Sequence, residues 1–226
     1  MSILNKYIKL KGQKKTKHRL GIKPKAITII PNSNKARYKL YSYKERKGLA
    51  FKGFIEPDRE KKLSADECIR FVSCFVINEK GEVLIEERSS KADRIHPGMK
   101  DLCSGHIDNW ETPTQAMLRE LHEELGINKE EAYSRLKRIT ENSPELFFTK
   151  NGIFACFYFF IKVKQESFKF QKDEITNITW VPMEKCFEQI RTGETRFPKK
   201  FDYNAIFDKI RECYKLTNET DGLGIE

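Results

Sequence analysis

Three glutamates define the chemistry open to this chain. Glu120, Glu123 and Glu124 stand at i, i+3 and i+4, the spacing that gathers side chains on one face of a helix. Like charges so placed repel one another and cost stability unless something positive joins them. A hard divalent cation with oxygen ligands is the natural compensation.

The elements that must position this cluster are written around it. Leu118, Leu121 and Leu125 recur at helical spacing and form an apolar stripe. Thr112 is a good N-cap, Pro113 suits the first turn, and Gln115 completes a capping box with Thr112. Gly126 marks the C-terminal stop. Upstream, Gly105 to Glu111 reads as a loop entering the helix. An ion pair between Glu111 and Arg119 would brace that loop against it.

Gly105, Glu111, Arg119, Glu120, Leu121, Glu123, Glu124, Gly126 and Ile127 fill every defined position of the Nudix box, so this stretch resembles the Nudix family. The resemblance covers roughly residues 66–215. It implies a mixed sheet between helices, an α/β (α+β) sandwich, with the box as a loop, helix and loop. It also implies a metal-dependent hydrolase of a nucleoside diphosphate linked to another moiety. Metal ions bridging the oxygens of a diphosphate neutralise its charge and orient an attacking water. Glu120, Glu123 and Glu124 are the implied ligands, with the Gly105 carbonyl added as in some family members. Carboxylates and water suit Mg²⁺, with Mn²⁺ as its usual substitute. The general base is open between Glu120 and Glu174; Asp173-Glu174 ahead of Ile178–Val181 resembles the family's acidic loop before a Trp-containing strand.

One branch of the family fits more closely. Glu87-Arg88-Ser89-Ser90-Lys91, Pro97-Gly98, Asp101 and Ser104-Gly105-His106 resemble isopentenyl-diphosphate isomerases and their hydrolase-like relatives. The isomerases place a cysteine immediately before the box glycine. Here Ser104 stands there and Cys103 is one place back, which on a strand turns its side chain to the other face. The isomerases also tend to have a degraded box, and this one is intact. Both departures favour hydrolysis over isomerisation. Arg88, Lys91 and Arg94 are candidates to meet substrate phosphates. His106 and His122 are candidates for supporting groups around the ligands. Trp110 replaces the small residue usual before the box glutamate; stacking on a base and capping the helix both stay open.

The composition, 34% charged and 38% hydrophobic over 226 residues, is that of a soluble, highly charged globular protein. The longest apolar run, Ile153 to Ile161, has nine residues, well short of the roughly 18 a membrane span needs. With no apolar leader core, the expected location is cytoplasmic. Six cysteines without a CxxC pair read as free thiols in a reducing compartment. Charge is uneven: residues 1–62 hold 19 Lys/Arg against 4 Asp/Glu, and the remainder is mildly acidic. Residues 1–62 therefore read as a basic extension or small subdomain ahead of a Nudix domain at 63–226. That extension could attract polyanions, and binding or 5′-end processing of RNA through it is an alternative function. Aromatic strands serve a core or a homodimer interface equally well.

Several elements can be placed in order. Residues 1–22 read as a basic arm, 26–30 as a short strand and 57–62 as a charged junction; the interleaved aromatics and cations of 37–56 read as a half-buried strand or hairpin, with stacking on bases or nucleotide rings as the alternative. Ile69–Ile77 and Glu82–Arg88 should form a hairpin of strands. Ile153–Val163 and Ile178–Val181 read as strands, and 183–191 and 203–214 as helices with Phe187, Ile190, Ile206 and Ile210 inward. Residues 136–148 are ambiguous.

Overall fold

The strand that organises the rest is β3, Glu67–Ile77. Its nearly continuous apolar run is what a strand covered on both faces requires. In the computed structural model, which describes residues 38–55, 63–90, 97–140, 143–149, 151–164, 168, 174–199 and 201–222, β3 lies within a ten-stranded mixed sheet. β9 (Gly152–Lys162) runs parallel to it, from Cys68 opposite Ile153 to Ile77 opposite Lys162. The other edge of β3 is shared by three antiparallel partners. β1 (Tyr38–Lys44) pairs at Glu67 and Cys68, β6 (Cys103–His106) from Phe71 to Cys74, and β4 (Glu82–Arg88) at Ile77. Beyond these, β2 (Gly48–Ile55) pairs with β1, and both β5 (Lys100–Asp101) and β10 (Ile175–Pro182) pair with β4. β7 (Lys137–Arg138) and β8 (Glu145–Thr149) close onto β9.

Alternation along the strands feeds two apolar layers. Val72, Cys74, Val76, Leu84 and Phe159 face α1 (Pro113–Leu125) and α2 (Lys129–Arg135), meeting Met117, Leu121, Leu125 and Ala132. Phe75, Ile77, Val83, Tyr158 and Phe160 face α3 (Met183–Thr192) and α4 (Asn204–Gly222), meeting Phe187, Ile190, Phe207 and Ile210. Helices thus cover both faces of the sheet, the expected α/β/α sandwich. Among the described residues no helix is long and apolar enough to cross a membrane. All six cysteines are free, and five of them are buried.

Of the strand or hairpin expected at 37–56, the hairpin forms, as β1 and β2, and it belongs to the same sheet as β6 of the box. The expected β3–β4 hairpin is much reduced, to the single pair Ile77–Val83, because β6 occupies the middle of that edge of β3. Residues 136–148 resolve into β7 and β8. Helix α2, only seven residues long and capped by the Asn128 side chain on the Glu131 amide, is too short to show a helical period. The basic arm at 1–22, the strand at 26–30 and the junction at 57–62 lie outside the described residues.

On the face away from the box helix, Phe207 is fully buried and stacks on Phe187 with ring centroids 4.0 Å apart at 8°. Replacing it with alanine leaves a cavity under α4, at a cost of about 3–5 kcal/mol. Urea denaturation of Phe207→Ala should show that loss; a shift below about 1 kcal/mol would mean that α4 does not anchor this layer.

Candidate active site

The box helix α1 is fixed at both ends before it meets anything else. Thr112 accepts from the Gln115 amide at 3.3 Å, and the Gln115 side chain accepts from the Thr112 amide at 2.9 Å. At the other end Gly126 is left-handed, at φ 68°, and its amide bonds back to the carbonyl of His122. The helix buries Ala116, Met117, Leu121 and Leu125. Leu118, expected in that stripe, is only half-buried, and Met117 takes the inner position. The buried face also carries Glu120 and Glu124, whereas Glu123 is exposed.

Arg119 ties the helix to the loop before it. Its Nε and Nη2 grip the two oxygens of Glu111 at 2.7 and 3.0 Å, and Nη2 also donates to the His106 carbonyl at 2.9 Å. Its Nη1 donates to Glu120 at 2.7 Å and to Glu123 at 3.1 Å. Burial opposes the Arg119 charge, but the Glu111 and Glu120 carboxylates hold its pKa above the ordinary value. Glu120 is pressed against Gly105. A Cβ on residue 105 would stand 1.8 Å from Glu120 Oε1, so no side chain fits there without moving the carboxylate.

Deeper in, Glu124 Oε2 accepts from the Ser104 amide at 3.1 Å. The Glu124, Glu86 and Cys103 side chains are all buried, with one donor atom from each lying within 4.8 Å of the others. Asp101 adds a further buried carboxylate. It binds the Leu102 amide at 2.9 Å, the Ser104 hydroxyl at 3.1 Å and Arg88 at 3.3 Å, and it also pairs with Arg196. Burial, and then repulsion by Glu124 and Asp101, pushes Glu86 well above the ordinary carboxylate range. Burial and Glu120 do the same to Glu124, and burial raises Glu120 despite Arg119. Burial and then Glu124 push the Cys103 thiol up.

Six carboxylates (Glu86, Asp101, Glu111, Glu120, Glu123 and Glu124) thus face three guanidiniums (Arg88, Arg119 and Arg196). One of the carboxylate oxygens, Glu86 Oε1, is buried with no hydrogen-bond partner. An oxygen-rich donor set with surplus negative charge fits a divalent cation.

The expected residues divide as follows. Arg119 brings Glu111, Glu120 and Glu123 together and Glu120 lies against Gly105, whereas the Glu124 donor atoms group with Glu86 and Cys103. Arg88 is committed in part to Asp101. Lys91 and Arg94 lie outside the described residues. Glu174 sits just ahead of β10, its carbonyl accepting from the Ser89 amide at 2.8 Å, at the Arg88 end of β4. The His106 ring stacks on Tyr38, and His122 Nδ1 lies 3.1 Å from the Ile127 carbonyl. Trp110 is 87% exposed. Ser104 turns toward Asp101 and Arg196, and Cys103 toward Glu124, as the pleat requires. Glu86 and Arg196 did not emerge from the sequence as site residues. The available signal for Glu86 was a glutamate two places on from Leu84, on the inward face of an apolar strand. A cavity of about 300 Å³, lined by Ile85, Glu87, Lys100 and Gln189, lies on the α3 side and not at the box.

The NUDIX domain family profile matches residues 69–201. The chain belongs to the Nudix family. It is 29% identical over 152 residues to an uncharacterized Nudix hydrolase of Listeria innocua, spanning 66% of this chain and 83% of that one. It is 26% identical over 132 residues to the isopentenyl-diphosphate Delta-isomerase of Corynebacterium diphtheriae, spanning 55% of this chain and 69% of that protein. Nudix hydrolase 3 of Arabidopsis thaliana matches at 25% over 155 residues, 64% of this chain but only 20% of that protein. A crystal structure from Deinococcus radiodurans shares the fold at TM-score 0.54 and 20% identity, covering 79% of this chain and 99% of its own. The NUDIX match, together with the Nudix hydrolases among its relatives, supports a hydrolase acting on pyrophosphate bonds.

The Gly105–Glu120 contact can be tested by stability alone. Gly105→Ala should displace the Glu120 carboxylate and cost about 1–3 kcal/mol through overpacking. A thermal unfolding curve matching that of the parent protein would mean that the glycine is not required by this close approach.

Proposed function

We propose that this Nudix protein hydrolyses the diphosphate linkage of a nucleoside diphosphate joined to another group, using Mg²⁺ held by Glu120, Glu123, Glu124 and the Gly105 carbonyl. The observation that supports this reading is the Arg119 brace, which holds Glu111, Glu120 and Glu123, with Glu120 packed against Gly105 and Glu124 on the neighbouring Ser104 amide. When bound, the ion supplies charge neutralisation at the phosphate oxygens and orientation of water. Glu123, with its side chain 48% exposed, is the ligand most open to an incoming phosphate. Glu111 and Arg119 hold the loop and helix in register. Arg88, together with Lys91 and Arg94, would bind the substrate's phosphates.

The general base is Glu120 or Glu174. A base contributes about 10²–10⁴-fold, so Glu174→Gln should lose that much if it is the base and almost nothing if it is a surface residue. Isomerisation is disfavoured because Ser104 occupies the place of the isomerase cysteine and engages Asp101 and Arg196, while Cys103 lies on the opposite face. The basic character of residues 1–62 supports RNA as a competing class of substrate, whose binding would weaken steeply with salt.

Product chromatography distinguishes these readings. Full-length protein is incubated with nucleoside diphosphate sugars, dinucleotides, 5′-capped RNA and isopentenyl diphosphate, with Mg²⁺ or with chelator, beside Glu123→Gln. The expected result is release of a nucleoside monophosphate that chelator abolishes and Glu123→Gln lowers by about 10²-fold or more, the scale of losing a charge-stabilising group. Conversion of isopentenyl diphosphate without hydrolysis would replace the proposal with the isomerase, and cleavage of capped RNA alone would replace its substrate class.

A further inference from the structure

Glu86 is not part of the Nudix box, and its position is hard to account for without a ligand. It sits on β4, 3% exposed, and its Oε1 is buried with no hydrogen-bond partner. An unpartnered buried carboxyl oxygen loses its hydration without replacement. Close to it, besides the charges of Arg88 and Arg196, lie two further metal-ligating groups. Single donor atoms of Glu86, Cys103 and Glu124 lie within 4.8 Å of one another, and all three residues are buried. They come from three different elements, β4, β6 and α1, so the convergence is tertiary and not an accident of helical spacing. Glu124 Oε2 accepts from the Ser104 amide at 3.1 Å, and the Cys103 thiol is hydrogen-bonded to the same carboxylate, so a cation entering here would take the place of that thiol proton.

We propose that Glu86, Cys103 and Glu124 form an inner metal site that takes a thiophilic divalent cation of the Zn²⁺ class. The sulfur decides the class: a thiolate beside carboxylates selects Zn²⁺ or Co²⁺, whereas Mg²⁺ prefers all-oxygen surroundings. Three protein donors match the number found in open zinc sites, with a fourth position left for water or substrate. Binding requires that the Cys103 proton leave for solvent as the metal–sulfur bond forms, so occupancy should rise with pH. The site shares Glu124 with the hydrolytic centre proposed above and rests on that reading only through this residue. An ion here would join β4, β6 and α1 directly beneath the box.

The test uses the full-length protein and does not depend on hydrolysis. X-ray absorption at the zinc edge of the Zn²⁺-loaded parent protein should show a sulfur shell at about 2.3 Å. Loading with Co²⁺ should give a near-ultraviolet thiolate-to-cobalt charge-transfer band that is absent in Cys103→Ser. Glu86→Gln should weaken Zn²⁺ binding about tenfold or more, a loss of the size seen when groups supporting a metal site are removed. Glu123→Gln, which alters the outer carboxylates only, should retain the cobalt band. A zinc shell of oxygen and nitrogen alone in the parent protein, with no charge-transfer band, overturns the inner site whatever the hydrolysis assay gives. A sulfur shell in a protein inactive on every diphosphate would sustain the inner site and remove the hydrolase proposal alone. The parent-protein spectra need no variant to fold.

Discussion

The fork of Arg119 is the interaction on which the site depends. A guanidinium offers donors in one plane, and here two of them close on Glu111 while the same Nη2 also meets the His106 carbonyl. That leaves Nη1 for Glu120 and Glu123. One side chain therefore joins the end of β6, the loop after it and two turns of α1. A lysine at 119 could satisfy one of these acceptors as a point charge but could not hold the loop and the helix at a fixed separation. The separation matters because Glu120 lies where a Cβ of residue 105 would be. Glycine at 105 and arginine at 119 are two halves of one constraint, the close approach of a strand end to a helix face.

That approach concentrates negative charge faster than the protein compensates it. Arg119 spreads its single charge over three glutamates. Farther in, both Arg88 and Arg196 pair with Asp101, and among the described residues neither Glu86 nor Glu124 forms an ion pair with a guanidinium. Without a cation the least costly response is to keep protons, and the upward shifts of both carboxyls express it. With a cation the protons leave. Metal binding and proton release are then the same event.

What the sequence revealed follows from the range over which each signal acts. The caps of α1, its acidic face and the Glu111–Arg119 pair lie within a 23-residue stretch, and the backbone period alone brings them together. The opposite facing of Cys103 and Ser104 is equally local, a property of the pleat. Glu86 and Arg196 meet the box only after β4 and the segment following α3 have been brought against β5 and β6, through register that no spacing in the sequence records. A charged residue in a strand is usually read as pointing to solvent, and Glu86 does the reverse. The β3–β4 hairpin forms but is short for a related reason: adjacency in sequence suggested a full hairpin, but β6, arriving later in the chain, takes the middle of the same edge of β3.

The hairpin β1–β2 shows how residues outside the family match at 69–201 reach the site. Tyr38 stacks on the His106 ring at 4.4 Å and 15°, and its backbone bridges to Asp108. The carbonyl of that same His106 is one of the acceptors that orient Arg119, and the Asp108 amide donates to Glu111 at 3.1 Å. Both ends of the Arg119 brace are thus in contact with the hairpin through one intervening residue. The box loop cannot shift without disturbing the stacking of Tyr38, and β1 cannot move without pulling on the groups that position Glu111 and Arg119. The N-terminal hairpin is thereby mechanically part of the box, although nothing in the box motif anticipates it.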